Sequence, residues 1–365
     1  MLTRASLAVS ILAILGLTAC VFQGGRGQQT AYVVTPFTAS VAAYHVDNNT
    51  GAFSQILGSP YGVGISPSSI LLHPSGKFAY VANAGENDIS LFKIGTAGAL
   101  AEVTPRTPTG MNPISMVMYP TGGFLFVANA NSNTIMGYSI SASTGALTAL
   151  SGAAAQTGFS PVNLALTPSG KFLYVANSNS TSVSGFAVDS SGGLTSVPGL
   201  PPLVGAGPNR IAIDPSGKFL YVASLAGGNF SGFTIDSTSG ALTAMTGSPF
   251  GVTVSTTITP LSSLVVDASG KYLYVTNQSG NNVYAFTIDA TSGVPKAITA
   301  TPVPPYPAGT SPIFIVNDTT GKLLFVGNQN SSSISVFSIT PSTGVLTAVS
   351  TSTTASAPVA IAVVK

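Results

Sequence analysis

The segment Gly170–Asn177, reading Gly-Lys-Phe-Leu-Tyr-Val-Ala-Asn, returns as Gly76–Asn83, Gly217–Ser224 and Gly270–Asn277, and more loosely as Gly122–Asn129 and Gly321–Asn328. With the aromatic before Val as marker, Tyr80, Phe126, Tyr174, Tyr221, Tyr274 and Phe325 stand 46, 48, 47, 53 and 51 residues apart, and Tyr32 lies 48 residues before Tyr80. Seven markers imply seven units. A chain that repeats one unit at such a period has few options, because each unit must bury its apolar faces against its neighbours.

Within the unit spanning 161–208, short apolar runs (Leu164–Leu166, Phe172–Ala176, Val183–Val188, Leu194–Val197) alternate with turns rich in Pro, Ser, Gly and Asn. Turn signals every ten or so residues, with β-branched and aromatic residues between them, predict four antiparallel strands and no helix. The second run is apolar at consecutive positions, so both faces of its sheet must be covered. Four-stranded units repeated side by side predict an all-β, seven-bladed β-propeller over residues 31–365. The ends predict its closure. Pro358–Val364 matches Pro208–Ile213, the first strand of a unit, with no second strand after it, whereas the Tyr32 unit lacks that first strand. Residues 359–364 are therefore expected to pair with residues 31–34, completing the first blade and removing exposed strand edges.

Composition narrows the function classes. Only 22 of 365 residues are charged, 12 Lys plus Arg against 10 Asp plus Glu, with no basic stripe, so nucleic-acid binding is not expected. Two His, one Cys and no Trp leave no set of first ligands for a transition metal, and neither metal nor other cofactor is expected. A calcium ion held by turn carbonyls and Asp has no sequence motif here.

The first twenty residues read as an address. Arg4 is followed by an apolar run from Ala5 to Leu17, too short for the roughly 20 residues a membrane-spanning helix needs. The run closes on Leu17-Thr18-Ala19-Cys20, which resembles the lipobox of bacterial lipoproteins. That resemblance implies a signal peptide over residues 1–19, lipid on Cys20, and a Gly-rich tether through residue 30. Acyl chains at about 0.8 kcal/mol per buried methylene would hold the chain on a membrane. Val21 in place of Asp after the Cys implies the outer membrane.

Tyr274-Val275-Thr276-Asn277 spells the YVTN repeat of surface and secreted propellers, and the longer unit resembles the lactonase-like seven-bladed family that includes 6-phosphogluconolactonase. Gly58-Ser59-Pro60-Tyr61-Gly62 and its copy Gly247–Gly251 are similar to the loops between blades in that family. The resemblance implies catalytic Arg and His after a Gly-Pro pair. Here Gly207-Pro208 is followed by Asn209 and Arg210, so Asn replaces the Arg and Arg replaces the His.

Most charges are explained by turns. Asp47, Asp189, Asp236 and Asp289, and in the adjacent turn Asp214, Asp267 and Asp318, are placed to accept hydrogen bonds from turn amides, and His73 occupies the position of Asp214. What remains is Glu86 and Asp88 after a second strand, and Arg106 and Arg210 in or just after a link between blades. Two readings stand for these four: solvated loop ion pairs, or groups facing one ligand at the channel mouth. On the second, a lactonase would use Glu86 or Asp88 as the base that activates water and Arg210 with Arg106 as stabilisers of the developing oxyanion. The leading reading is a noncatalytic, monomeric envelope module binding a protein, a glycan or cell-wall material through Asn209, Arg210, Phe250 and Tyr306. Loops near Pro249–Ser263 and Pro302–Pro312 would supply the aromatic rim. The Asn that ends the second strand (Asn83, Asn129, Asn177, Asn277, Asn328) caps its turn or contributes to a ring of amides.

Overall fold

A computed structural model describes residues 28–152, 154–199, 204–252 and 260–364. The segments expected to be a signal peptide and a tether, with Cys20 between them, lie outside the described residues except for residues 28–30. Seven antiparallel sheets are arranged around an axis, each with its strands in sequence order from the inside outward. Blade II, for example, runs Pro67–Leu72, Phe78–Asn83, Asp88–Ile94 and Leu100–Pro108. Blades III to VII begin at Pro113, Pro161, Pro208, Leu261 and Pro312. Blade I is the composite one. Its inner strand is Ala360–Val364, paired antiparallel to Gln28–Thr35 with Tyr32 opposite Ala362, and Ser40–Asp47 and Phe53–Gln55 follow outward. The expected closure is thus present. The strand starts at Gln28, three residues before the expected boundary, because the buried Gln29 amide is bonded to Asp318 (3.1 Å) and accepts from Thr319. The helical pieces among the described residues are two three-residue 3-10 turns, Pro36–Thr38 and Thr96–Gly98. No helix there is long and apolar enough to cross a membrane.

The core lies between blades. All six residues of Phe78–Asn83, Phe172–Asn177, Phe219–Ser224, Tyr272–Asn277 and Leu323–Asn328 are buried, as consecutive apolar residues require when both sheet faces are covered. Phe172 and Tyr174 of blade IV pack with Leu220 and Val222 of blade V, and the same pattern recurs around the ring.

The repeat marker has a specific task. The hydroxyl of Tyr32 donates to the carbonyl of Gly98 in the next blade at 2.8 Å. Tyr80 does the same to Gly145 (2.8 Å), Tyr174 to Gly240 (2.7 Å), Tyr221 to Gly293 (2.6 Å) and Tyr274 to Gly344 (2.9 Å). Each bond fixes one blade against the following outer turn, and each phenol is raised above its ordinary pKa by burial, keeping it a donor. Where the marker is Phe325, the matching Gly51 carbonyl instead accepts from Ser350 at 3.1 Å.

The turn aspartates behave as their positions imply. Asp47 accepts from the amides of Asn49 and Thr50, Asp236 and Asp289 repeat the pattern, and Asp189 accepts from the amides of Ser191 and Gly193. Asp214, Asp267 and Asp318 each receive the amides two, four and five residues on. His73 fills the same position, its Nδ1 accepting from the Ser75 amide at 3.1 Å and its Nε2 lying 3.1 Å from the Gly122 carbonyl. Backbone and hydroxyl donors hold the exposed Asp47, Asp189, Asp236 and Asp289 below the usual carboxylate range. Burial alone would raise Asp318, but bonds from Thr320, Leu323 and Gln29 outweigh it and lower the pKa.

Two outcomes follow from these bonds. Tyr80→Phe leaves the Gly145 carbonyl buried without its donor and should lower urea-unfolding stability by about 1–3 kcal/mol; an unchanged midpoint would show that the hydroxyl is dispensable. Because the carboxylates are depressed in the folded state, their contribution is complete above the unfolded value of about 3.9 and disappears as pH falls through the lower folded values. Urea midpoints should therefore be level above about pH 5 and decline below about pH 4, and a chain that becomes more stable on acidification would contradict this account.

Candidate functional site

The link into each blade and the turn after its second strand meet on one face, joined by backbone bonds such as Ala84 N–H to Ser66 O, Ala130 N–H to Asn112 O and Ser178 N–H to Ser160 O. We call this the mouth face. From it the inner strands descend around a central channel of about 220 Å³. The third residue of each inner strand recurs at one depth: Ser69, Ser115, Asn163, Arg210, Ser263 and Phe314, with Ala360 in the closing strand. All except Phe314 and Ala360 are polar. Phe314 is accommodated because Gly327 stands opposite it, where any Cβ would collide with its ring.

The second and third inner-strand positions stitch neighbouring blades together. Ser68 donates to the Pro113 carbonyl at 2.6 Å, Asn209 to the Ser262 carbonyl at 2.6 Å, and Ser262 to the Pro312 carbonyl at 2.5 Å. At the third position Ser115 accepts from the Leu164 amide at 3.3 Å and Asn163 from the Ile211 amide at 2.8 Å. Asn209, expected at a ligand, is thus committed to holding blades V and VI together.

Arg210 is the charged side chain of the channel lining. It keeps a partly accessible surface along the channel, yet enough protein surrounds it that burial pulls its pKa below the ordinary guanidinium value. Among the described residues no carboxylate pairs with it and no acceptor bonds it, and no acidic group or His lines the channel.

The other three candidate charges are elsewhere. Glu86, in the turn after the second strand of blade II, lies 2.5 Å from Arg106 Nη1, while Arg106 Nε donates to Glu102 at 2.7 Å along the outermost strand. Asp88 accepts from Asn83 Nδ2 at 2.7 Å. The Glu102 bond, opposed by burial and supported by the fields of Glu102, Asp88 and Glu86, raises the Arg106 pKa. These part-exposed pairs contribute under about 1 kcal/mol each. Glu86, Asp88 and Arg106 come together at the outer rim of blade II, and Arg210 sits apart from them in the channel. Of the two readings, the ion pairs of Arg106 match the solvated loop pairs, while for a common ligand the long strand Leu100–Pro108 carries Arg106 to the outside of its blade, apart from Arg210.

The aromatic rim also needs correction. Phe250 lies in a two-residue strand paired to Phe230 and packs on its ring at 5.6 Å; Tyr306, in an equivalent strand paired to Val283, is 4% exposed. Both pack against inter-blade cores, because the two-residue strands that hold them pair with the third strands of their blades. The turn-capping Asn residues are likewise buried. Asn83 accepts from Gly64 N–H at 3.1 Å, and Asn177 and Asn328 bond serines of their third strands.

The mouth face instead presents apolar side chains. Of eight exposed large apolar residues among those described, Phe37, Ile65, Met111, Phe159 and Leu225 lie on it, across blades I to V. Ile65, Met111 and Phe159 each precede a residue of positive φ (Ser66 53°, Asn112 58°, Ser160 55°), a repeated turn that lifts the side chain clear of the sheet. The sequence carried a signal for this: a Gly-X-Ser/Asn-Pro word before blades II, III and IV, with X large and apolar each time. No group of three or more His, Cys, Asp or Glu able to hold a metal occurs among the described residues.

No curated protein matches the sequence significantly. Solved structures do resemble it. A candidate 6-phosphogluconolactonase from Bacteroides fragilis aligns over 93% of this chain and 98% of its own, with 22% identity and a TM-score of 0.79. A protein from Lactobacillus plantarum aligns over 93% and 100% at 17% identity and a TM-score of 0.80. The periplasmic gluconolactonase PpgL of Pseudomonas aeruginosa aligns over 93% and 99% at 18% identity and a TM-score of 0.76. The profile described as lactonase, 7-bladed beta-propeller, matches residues 20–162, 153–260 and 251–363. With blade number, closure and repeat in agreement with that match, the chain belongs to the lactonase family of seven-bladed β-propellers.

Proposed function

We propose that this propeller recognises a partner without catalysis, at the cell envelope, held there by lipid on Cys20. The observation that carries the reading is the channel lining: among the described residues it holds one unpaired cation, Arg210, and neither carboxylate nor imidazole beside it. Opening a lactone with water requires a base within hydrogen-bond reach of that water, and Arg210 alone supplies only charge stabilisation. The candidate bases, Glu86 and Asp88, are engaged with Arg106 and Asn83.

The placement of the N-terminal strand supports an outward-facing mouth. Gln29 is bonded to the turn at Asp318–Thr319, which joins the first two strands of blade VII on the face opposite the mouth. The eight peptide steps from Cys20 to Gln28 reach at most roughly 28 Å. A lipid at Cys20 would therefore hold that opposite face toward the membrane and turn Phe37, Ile65, Met111 and Phe159 away from it. Exposed aliphatic and aromatic side chains of this kind favour a protein surface over a glycan, which would call for more polar groups.

Sugar-lactone hydrolysis is the second reading, favoured by the family match and by the name of the Pseudomonas aeruginosa neighbour. Assaying the Cys20→Ala chain with gluconolactone and 6-phosphogluconolactone separates the two: no hydrolysis above buffer is expected. Turnover that Arg210→Ala abolishes would establish the enzyme. Anchoring is checked separately by detergent-phase partition, where the full chain expressed in a bacterium should enter the detergent phase and Cys20→Ala should stay in water.

A further inference from the structure

Between blades V and VI the third inner-strand position carries a cation where the blades before it carry Ser or Asn. At two successive junctions the third inner-strand residue gives an oxygen to the next blade's amide: Ser115 to Leu164 N–H and Asn163 to Ile211 N–H. Arg210 holds the same position in blade V, and the amide that corresponds there to those of Leu164 and Ile211 is that of Leu264, in the same channel lining. Leu264 is in register with Val275 as Leu164 is with Val175, each strand carrying the same irregularity near its start, so the Leu264 N–H points to the channel as the Leu164 N–H does. A guanidinium has five donors and no acceptor. Donor therefore meets donor at this junction. Beside them stands Ser263, the third residue of blade VI, in the same channel lining, its hydroxyl bonded by no described residue.

We propose that this junction binds the carboxylate of a small organic monoanion, held by the Arg210 guanidinium, the Leu264 amide and the Ser263 hydroxyl. The proposal rests on the reading of the channel as a binding rather than a hydrolytic site. Both carboxylate oxygens accept from the guanidinium in the two-pronged geometry that Arg favours, and one of them also takes the place that an Asn or Ser oxygen occupies at the junctions before it. The charge is set by the lining. Arg210 offers a single positive charge with no second cation beside it, so a dianion would bring a buried charge with nothing to balance it. The channel, about 220 Å³, limits the ligand to a small acid or to the acidic end of a larger one.

Acetate is the probe, acetamide its neutral counterpart and inorganic phosphate the dianion. Thermal unfolding of the full chain in detergent, at constant ionic strength, should show a saturable rise in Tm with acetate, since a ligand that binds only the folded state stabilises it. Arg210→Asn is the decisive variant. It should restore the oxygen-to-amide bond seen from Asn163 to Ile211, melt no lower than the parent, and bind acetate at least about tenfold more weakly. Arg210→Gln serves if Arg210→Asn fails to fold. An acetate response unchanged in these variants, an equal response to acetamide, tighter binding of phosphate than acetate, or no saturable response in the parent would each overturn the site. Lactone hydrolysis by a chain that still binds acetate would overturn the noncatalytic reading and leave this site standing. Absent acetate binding in a chain without hydrolysis would do the reverse.

Discussion

The hydroxyl-to-carbonyl bond between a second-strand tyrosine and the outer turn of the next blade is the interaction on which the ring depends. A propeller has no single core; its stability is a sum of similar interfaces, and each must be set at the same angle for the circle to close. Apolar packing between blades supplies most of the stabilisation but is weakly directional. A buried phenol that must find one carbonyl is directional, and it recurs at Tyr32, Tyr80, Tyr174, Tyr221 and Tyr274. By fixing the blade angle far from the axis, these bonds determine how closely the inner strands approach, and so the bore of the channel and the spacing of the side chains that line it.

The architecture was legible because a repeat states its constraint many times over. Marker spacing, turn words and the unmatched first strand at the C-terminus were sufficient to place seven blades and their closure. The turn aspartates were legible for the same reason, and so was His73, which reads as a member of a series. The site was less legible, since it depends on where a series breaks. Asn209 and Arg210 are neighbours in sequence, yet they are put to different uses: one stitches a blade, the other lines the channel. Phe250 and Tyr306 sit among Pro and Gly, which suggests projecting loops, but two-residue strands paired to Phe230 and Val283 fold them into the core. Spacing gave no indication of that pairing. Arg106 was placed near a link in sequence, and only the length of its strand shows that it faces outward.

Charge is used sparingly, and for different purposes at different radii. At the turns, carboxylates replace water as acceptors for backbone amides and stay ionised because those donors favour the anion. At the outer rim of blade II, Arg106 between Glu86 and Glu102 is neutralised by its neighbours. In the channel, Arg210 stands among the described residues with no carboxylate beside it. An isolated guanidinium can attract and orient an anion, whereas activation of water calls for a second titratable group, and the described lining residues include none.

The composite first blade bears on how the molecule matures. Until Ala360–Val364 arrives, Gln28–Thr35 has one unpaired edge, and six finished blades form an open arc that cannot settle into its final curvature. A polypeptide that emerges one residue after another from its N-terminal end thus stays unlocked until Ala360–Val364 is free to pair. Circularisation then becomes the final act of assembly.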